Sequence, residues 1–459
     1  MFSWKSDEFG RVVRAKARLV ARGFGQRAGI DFFETFSPCP SVISIRLLAA
    51  IACALDWELW HYDVTQAFVQ STLEEDVYAR LPKGCGSLSG RVVKLVRSLY
   101  GLKQSSRTWH HHLVRGMVGL GFEQCETDPC MFRMVESSDV TMLVVVHVDD
   151  VFSIGTKDKC VKFGADLNGY VPTTDLGELR WYAGLRFERD RLYGTIKISQ
   201  QAVAESVVAK FGVTSNRDTP MSMGLKLEEF DPDEPNVTEP FRSIVGHLMW
   251  LANNTRPDIY NAVRAVARYS NAPKWVHWTA ALHILMYVRG TSSFGITFQR
   301  GCGMELVLYV DSDFASNPAD RRSVSGALVM FAGACVAYLT QTQGTVAMSS
   351  SEAEYQAMAA GMKECIFVRG LYRFAFRKRV GTTTVCEDNM GALRLANNPR
   401  TTPNSKHIDI GHHFIRERVA RGEFKIVHVP SHLQHADFLT KPLPREAFFV
   451  HRNFAMNIT

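Results

Sequence analysis

No apolar run in this 459-residue sequence approaches the ~20 residues that cross a bilayer as a helix, so no membrane partner is expected. The first ten residues, Met1 to Gly10, lack the apolar stretch of a secretory leader, which predicts a protein that is not secreted. Cysteine is thinly spread: ten in all, with no Cys-x-x-Cys pair. Cys125 and Cys130 have no second Cys/His pair at zinc-site spacing, so neither a zinc knuckle nor a disulfide framework is expected, only free structural thiols in a reducing compartment. Internal repeats and low-complexity tracts are also missing, which excludes solenoid architectures. Acidic residues are in slight deficit, 46 against 53 Lys and Arg, for a net charge of +7. That balance argues against a purely acidic protein surface and suits a polyanionic partner, whose counterions are released on binding.

What is present is ordinary for a chain with buried cores: 46% hydrophobic and 22% charged residues. Length alone allows about two to four domains. The stretch from Asn216 to Pro240, with Asp231-Pro-Asp-Glu-Pro235, reads as a linker, and Arg300-Gly-Cys-Gly303 reads as a second break. Four parts are predicted: 1–198, 199–300, 301–445 and a tail over 446–459. In the first, helical patterns run from Ser44 to Leu55 and from Ser105 to Leu120. A short strand ends at Tyr62-Asp63, and an apolar β-branched run, Met142 to Val148, is interrupted by Asp149-Asp150 and resumes at Val151, a hairpin pattern. The middle part reads as mostly helical, over 200–211, 241–253, 257–269 and 278–288. The last part reads as three strands, helix, strand, helix, strand, helix, with Ser349-Ser-Ser-Glu352 as a capping box opening its long helix and a terminal helix near His435.

Two sets of carboxylates stand out. Asp63 at a strand end and Asp149-Asp150 at a hairpin tip can converge on one rim, as two-metal nucleotidyl transfer requires of hard oxygen ligands. Alternation along the strand predicts that Asp149 and Asp150 point differently, with Asp149 the more direct ligand. Taken alone, Asp-Asp at a turn is common, because Asp favours turns. In the last part, Asp311 follows the first strand, Glu354 lies on the first helix, Asp388 follows the fourth strand and Asp437 sits near the last helix. If the sheet packs on the long helix, all four meet at one edge; each alone reads as a solvated surface acid.

The surrounding segments then identify the sequence. Lys16-Ala-Arg-Leu-Val-Ala-Arg-Gly-Phe24, Asp31-Phe-Phe-Glu-Thr-Phe-Ser-Pro38, Tyr62-Asp-Val-Thr-Gln-Ala-Phe68, Leu73-Glu-Glu-Asp-Val-Tyr78, Leu99-Tyr-Gly-Leu-Lys-Gln104 and His147-Val-Asp-Asp150 resemble, in order, the motifs of copia-type retrotransposon reverse transcriptases. Tyr309-Val-Asp-Ser-Asp-Phe-Ala315, Ser349-Ser-Ser-Glu-Ala-Glu-Tyr355, Glu387-Asp-Asn389, Ser405-Lys-His-Ile-Asp-Ile410 and His435-Ala-Asp-Phe-Leu-Thr-Lys441 resemble the ribonuclease H of the same polyproteins.

The resemblance implies an α/β and α+β multidomain protein: a right-hand polymerase with fingers, a palm built on a split βαβ core, thumb and connection helices, then a ribonuclease H-like domain. It implies that Asp63, Asp149 and Asp150 bind metal in the polymerase, and that Asp311, Glu354, Asp388 and Asp437 do so in the nuclease. Phe68 matches a steric gate against a ribose 2′-hydroxyl; Lys16 and Arg18 match fingers residues facing the triphosphate; Gln104 resembles a nucleotide-pocket residue. Trp181 and Gly184 resemble a primer-grip turn, and the segment from Phe241 to Trp250 resembles a thumb helix. Asp313 and Glu352 are secondary acids. His432 matches a mobile histidine for product release. Arg369, Arg373 and Arg377 recur every four residues, so one helix face of theirs could track phosphates or simply be solvated. The groups His110 to His112 and His407 with His412-His413 suit one metal poorly, since adjacent helical side chains diverge by about 100°.

The implied cofactor is Mg2+, two ions per active site, with Mn2+ as a substitute. The implied partners are an RNA template, a DNA primer strand, the RNA–DNA hybrid held through backbone and shape, dNTPs, and other Pol and Gag products. The implied setting is a cytoplasmic virus-like particle, with later nuclear entry of the product complex. Two departures, His147 in place of the family's Tyr and an opening a few residues inside the fingers region, feed a rival reading: a degenerate, truncated copy that binds nucleic acid without catalysis. The absence of protease and integrase regions points to a fragment of a longer polyprotein.

Overall fold

The computed structural model describes residues 2–6, 11–316, 319–397 and 409–458. They form two compact units, one of residues 1–41 and 58–179, the other of 42–57 and 180–459.

The first unit is built on a six-stranded antiparallel sheet. In spatial order its strands are Thr173–Glu178, Glu58–Val64, Asp150–Gly155, Asp139–His147, Met131–Glu136 and Phe122–Gln124. The first four run as strands 4-1-3-2 of a β-α-β-β-α-β unit whose helices are Ser105–Gly119 and Lys157–Tyr170, the split βαβ arrangement expected from the sequence. Trp109, Leu113 and Met117 of one helix and Cys160, Phe163 and Leu167 of the other share a core with Tyr62, Val64, Val144, Val146 and Val151 of the sheet. Both helices therefore cover one face. Strand alternation directs Asp63 and Asp150 to the opposite face.

Two further hairpins, Phe2–Ser6 with Val12–Ala17 and Thr72–Arg80 with Val92–Arg97, complete this unit. The segment after the first hairpin threads tightly past Tyr100 and Gly101. The Ala21 amide donates to the Tyr100 carbonyl at 2.7 Å, and a Cβ at Gly23 would stand 1.9 Å from the Gly101 oxygen. Gly101, at φ 90, would meet the Ala21 oxygen at 2.2 Å. The glycines of Ala-Arg-Gly-Phe and Leu-Tyr-Gly-Leu-Lys-Gln are thus two halves of one backbone crossing.

The second unit carries a five-stranded sheet in the order Ala334–Thr342, Val324–Phe331, Val307–Ser312, Thr383–Glu387, Phe424–His428; the first three are antiparallel and the last two join in parallel. Ser349 caps the long helix Ser350–Phe376 by accepting from the Glu352 amide, as the capping-box pattern requires. This helix crosses the sheet closely: a Cβ at Gly361 would lie 2.6 Å from Val310 Cγ1 and 3.0 Å from Ala327 Cβ. Met390–Asn397 is an extra helix that the sequence reading left out.

The predicted boundaries do not survive. A four-stranded sheet joins Trp181–Tyr182, Leu185–Asp190 and Thr195–Ser199 to Gly295–Gln299, so the middle part is not merely helical and no break falls at 199 or 300. Helix Val42–Leu55 belongs to the second unit, where it packs on strands Thr195–Ser199, Gly295–Gln299 and Ala334–Thr342; every residue from Ser44 to Cys53 is buried, as a largely apolar helix must be. Its one cation, Arg46, donates to the carbonyls of Asn253, Asn254 and Val336. The supposed linker is irregular but packed: Leu227 is buried and its carbonyl contacts His277 Nε2 at 2.8 Å. The expected tail is the helix Arg445–Met456, with Phe448, Ala455 and Met456 buried; near His435 stand two short 3-10 turns, Ser431–Leu433 and Asp437–Leu439, in place of a helix.

Candidate active sites

In the first unit, Asp63 and Asp150 face each other across neighbouring strands, and the Val64 amide donates to the Asp149 carbonyl at 2.7 Å. The three acids are therefore held at one sheet edge by ladder hydrogen bonds. His147 pairs with Asp150 across a two-residue turn formed by Val148 and Asp149. Val148 has φ 59 and Asp149 does not share the positive sign, which keeps the twist of the hairpin but strains a β-branched residue. The Trp109 indole, buried in the helix Ser105–Gly119, donates to the Val148 carbonyl at 2.7 Å. Asp150 reaches His61 Nε2 at 3.3 Å. Asp149 and Asp63 instead lie near Tyr100, whose hydroxyl is raised by burial and then by these two carboxylates, against an opposing pull from Arg18. Asp149 and Asp150 thus do diverge.

Phe68 packs edge-on to Tyr100, ring centroids 4.9 Å apart, and the Arg18 guanidinium sits 5.6 Å over the same ring. Tyr100 is the hub that links these residues to the acids, and it carried no assigned role in the sequence reading. The side chain of Lys16 lies outside the described residues. Gln104 is buried, its amide engaged by Gln26, the Asp31 carbonyl and Glu75, so the structure places it as a strut among loops.

The acids of the second unit are drawn closer. Among the described residues, ligand atoms of Asp311, Glu354 and Asp388 all lie within 4.8 Å of one another. Asp311 ends the first strand of its sheet, Glu354 lies one turn into the capped helix, and Asp388 follows the parallel strand beside them. Asp437 lies outside that three-acid group, but it acts electrostatically on Asp311, and Lys441 stands near both. Thr440 donates to Asp311, and Lys441 Nζ stands 3.1 Å from Asp437 and 3.8 Å from Asp311.

Burial, then Asp311, Glu387 and Asp388, raise the Glu354 carboxyl to about 11; burial and Asp437 push Asp311 well above the usual range. Glu354 Oε2 and Glu387 Oε2 are buried without a hydrogen-bond partner. Several like charges with orphaned oxygens in a dry place fit a divalent cation, which supplies the missing counter-charge. Glu387 and Lys441 were missed as contributors; both stand inside the quoted motifs, but only the fold shows that Glu387 is fully buried and that Lys441 reaches across to two acids.

The remaining expectations fare unevenly. Asp313 is outside the acid cluster, its carboxylate taken by Ser316 and the Val324 amide. Glu352 accepts from the Met348 amide and completes the helix cap. His432 is exposed on the turn Ser431–Leu433. The three arginines differ in setting: Arg369 is tied to Gly381 and Thr383 and stacks on Phe424, Arg377 follows the helix in left-handed backbone, and Arg373 is exposed on the helix. Trp181 lies on the strand before a tight turn made by Ala183 at φ 50 and Gly184 at φ 79, and its side chain is exposed. His112 stacks on Tyr170 at 5.0 Å, a packing role. His407 and the side chain of His412 lie outside the described residues, and His413 is exposed.

Comparison with known proteins identifies relatives of the sequence. The family described as reverse transcriptase (RNA-dependent DNA polymerase) matches residues 1–223. The chain is 34% identical, over 461 residues and 98% of its length, to the retrovirus-related Pol polyprotein from transposon TNT 1-94 of Nicotiana tabacum, of which it covers 34%. It is 34% identical over 463 residues to that from transposon RE1 of Arabidopsis thaliana, covering 31%. It thus spans about a third of the length of these curated relatives. A solved structure of the foamy viral protease-reverse transcriptase in complex with dsDNA aligns with 84% of this chain and 69% of that one, at 13% identity and a TM-score of 0.21, too remote to bear on function. Residues 1–223 thus match the reverse transcriptase family, and the chain is related throughout to a segment of the retrovirus-related Pol polyproteins of plant copia-type transposons.

Proposed function

We propose that this chain is an RNA-directed DNA polymerase with ribonuclease H activity, which extends a DNA primer on an RNA template and hydrolyses the RNA of the resulting hybrid. The observation that carries it is the gathering of Asp311, Glu354 and Asp388 within 4.8 Å, with Asp437 alongside, in a chain whose other unit holds Asp63, Asp149 and Asp150 at one sheet edge. In the nuclease, Asp311, Glu354, Asp388 and Asp437 would hold two magnesium ions; in the polymerase, Asp63 and Asp149 would, with Asp150 beside them. When bound, the ions activate the attacking oxygen and stabilise the charge on the leaving group.

The chain's own residues do the rest. The carboxylates fix where the ions sit because strand ladders and a capped helix fix the carboxylates. Phe68, braced by Tyr100, limits the space beside Asp63 and would exclude a ribose 2′-hydroxyl. Thr440 and Lys441 orient Asp311 and Asp437 and offset their mutual repulsion. Substrates are a primed RNA template, deoxynucleoside triphosphates and the hybrid.

Two variants test this on the full chain. Asp149→Asn should abolish primer extension and leave hybrid cleavage; Glu354→Gln should do the reverse. Loss of both activities in either folded variant refutes the two-site assignment, and absence of both in the unmodified chain with magnesium or manganese supports the degenerate copy.

A further inference from the structure

Beside the nuclease acids, within the second unit, lies a cavity of about 290 Å3 that has no role in the two-metal chemistry. Its walls are the irregular segment around Lys226, the helix Tyr260–Ala267 with the Arg268 that follows it, the turn carrying Asp313 and Arg322, and Lys441. Five cations line it, Lys226, Arg264, Arg268, Arg322 and Lys441, against two acids, Glu228 and Asp313.

Three of the cations already have acidic partners, Lys226 with Glu229, Arg322 with Asp320 at 3.8 Å and Lys441 with Asp437 at 3.1 Å, whereas among the described residues Arg264 and Arg268 make no ion pair. Asp313 is occupied by Ser316 and the Val324 amide, and Glu228 accepts from the Tyr269 hydroxyl at 3.1 Å. Arg264 is the fixed element. Its guanidinium donates to Asn261 Oδ1 at 2.9 Å and to Thr342 Oγ1 at 2.9 Å, which leaves it oriented before any ligand arrives. A planar, pre-oriented guanidinium matches phosphate oxygens better than a free ammonium does. Arg268 and Arg322 stand exposed at the mouth. Lys441 belongs to both places: it lines the cavity and lies 3.1 Å from Asp437.

We infer that this cavity is a phosphodiester subsite, which grips the backbone of the bound hybrid next to the scissile phosphate. The inference rests on the nuclease reading for the identity of the strand. A polyanion threaded past the acids must approach four carboxylates that repel it, and a cationic wall one residue away offsets that repulsion on the path to the cut. The grip is sequence-independent, because it meets backbone and no base edges.

The test uses the full chain, with Arg268→Gln/Arg322→Gln as the main variant, since both side chains are exposed and fold loss is not expected. Arg264→Lys is the second variant; it keeps the charge and removes the planar fork. The probe is a fluorescent RNA–DNA hybrid titrated in metal-free buffer over a salt series, so that binding is read without cleavage. The double variant should bind about tenfold more weakly at low salt, with the slope of log Kobs against log[salt] shallower by about 1–2. With magnesium, KM for hybrid cleavage should rise while kcat stays within about twofold. Arg264→Lys should weaken binding at an unchanged salt slope. An unaltered affinity and slope in the double variant overturns the subsite, as does a fall in kcat at constant KM. If the unmodified chain binds hybrid but never cuts it, the nuclease reading fails while the binding shift still decides the subsite.

Discussion

Replacing Trp109 by Phe isolates how the Val148-Asp149 turn is held. The indole nitrogen donates to the Val148 carbonyl at 2.7 Å from a side chain that is 2% exposed. Val148 sits at φ 59, a conformation that costs a β-branched residue roughly 1–3 kcal/mol and persists only when neighbours enforce it. Phenylalanine keeps most of the ring in the core and deletes the donor. The carbonyl then loses a partner worth about 1–3 kcal/mol if it stays unpaired. A loss near 2 kcal/mol, expressed in the placement of Asp149, is roughly a thirtyfold fall in kcat. Primer-extension kinetics should show kcat down about ten- to thirtyfold with KM for the nucleotide within about threefold. Hybrid cleavage, which the proposal assigns to the other unit, should be unchanged and so reports that the chain is folded. Val148→Gly removes the strain, so Trp109→Phe in that background should cost clearly less, and the two effects should not add. Normal extension by Trp109→Phe, or an equal loss in both backgrounds, would refute the argument that the indole restrains a strained turn.

Three other outcomes follow from the second unit. Because the folded value of Glu354 is raised from 4.5 to about 11, the folded state holds a proton the unfolded chain releases. That stabilisation is present below about 4.5 and is lost as pH climbs toward 11. Tm in metal-free buffer should therefore fall from about pH 5 to about pH 9, flatten in Glu354→Gln, and recover with millimolar magnesium only in the unmodified chain; a metal-free Tm that rises over that window contradicts the cluster. Gly361→Ala should destabilise by about 1–3 kcal/mol through overpacking against Val310 and Ala327, despite alanine's better helix propensity, and a gain of stability in urea melts would disprove that contact. Asp258→Ala removes the carboxylate that takes Arg256 at 2.8 Å and the Tyr287 hydroxyl at 2.7 Å, leaving a buried guanidinium without counter-charge. About 3–5 kcal/mol should be lost in equilibrium unfolding, and a loss below ~1 kcal/mol would mean that water reaches the site.

The local patterns were readable where physics is local. Helix Ser105–Gly119, the Asp149-Asp150 hairpin and the Ser349 cap follow from periodicity, turn chemistry and side-chain capping, and the observed ends differ from the expected ones by a residue or two. What stayed hidden depends on partners distant in sequence. Strand Gly295–Gln299 joins Thr195–Ser199 across almost a hundred residues, and no local composition announces that pairing. Helix Val42–Leu55 reads like any apolar helix until its enclosure in the second unit is seen. The arginine spacing of four was a true helical period, yet helix ends are set by capping and not by charge, so Arg377 fell in left-handed backbone and Arg369 turned to a loop carbonyl.

The sites show the same division. A motif can nominate Asp311, Glu354, Asp388 and Asp437 one at a time, but their shared electrostatics exists only after folding. Glu387 illustrates why. In sequence it is one more acid beside Asp388; in the fold it is fully buried, one oxygen taken by the Asn389 amide and the other unpartnered, and its charge helps to raise Glu354. A buried acid with no basic partner costs stability unless a cation or a proton relieves it. A neutral side chain would be more stable there, so the presence of this buried acid beside Asp311, Glu354 and Asp388 argues that the relief is part of the protein's working state.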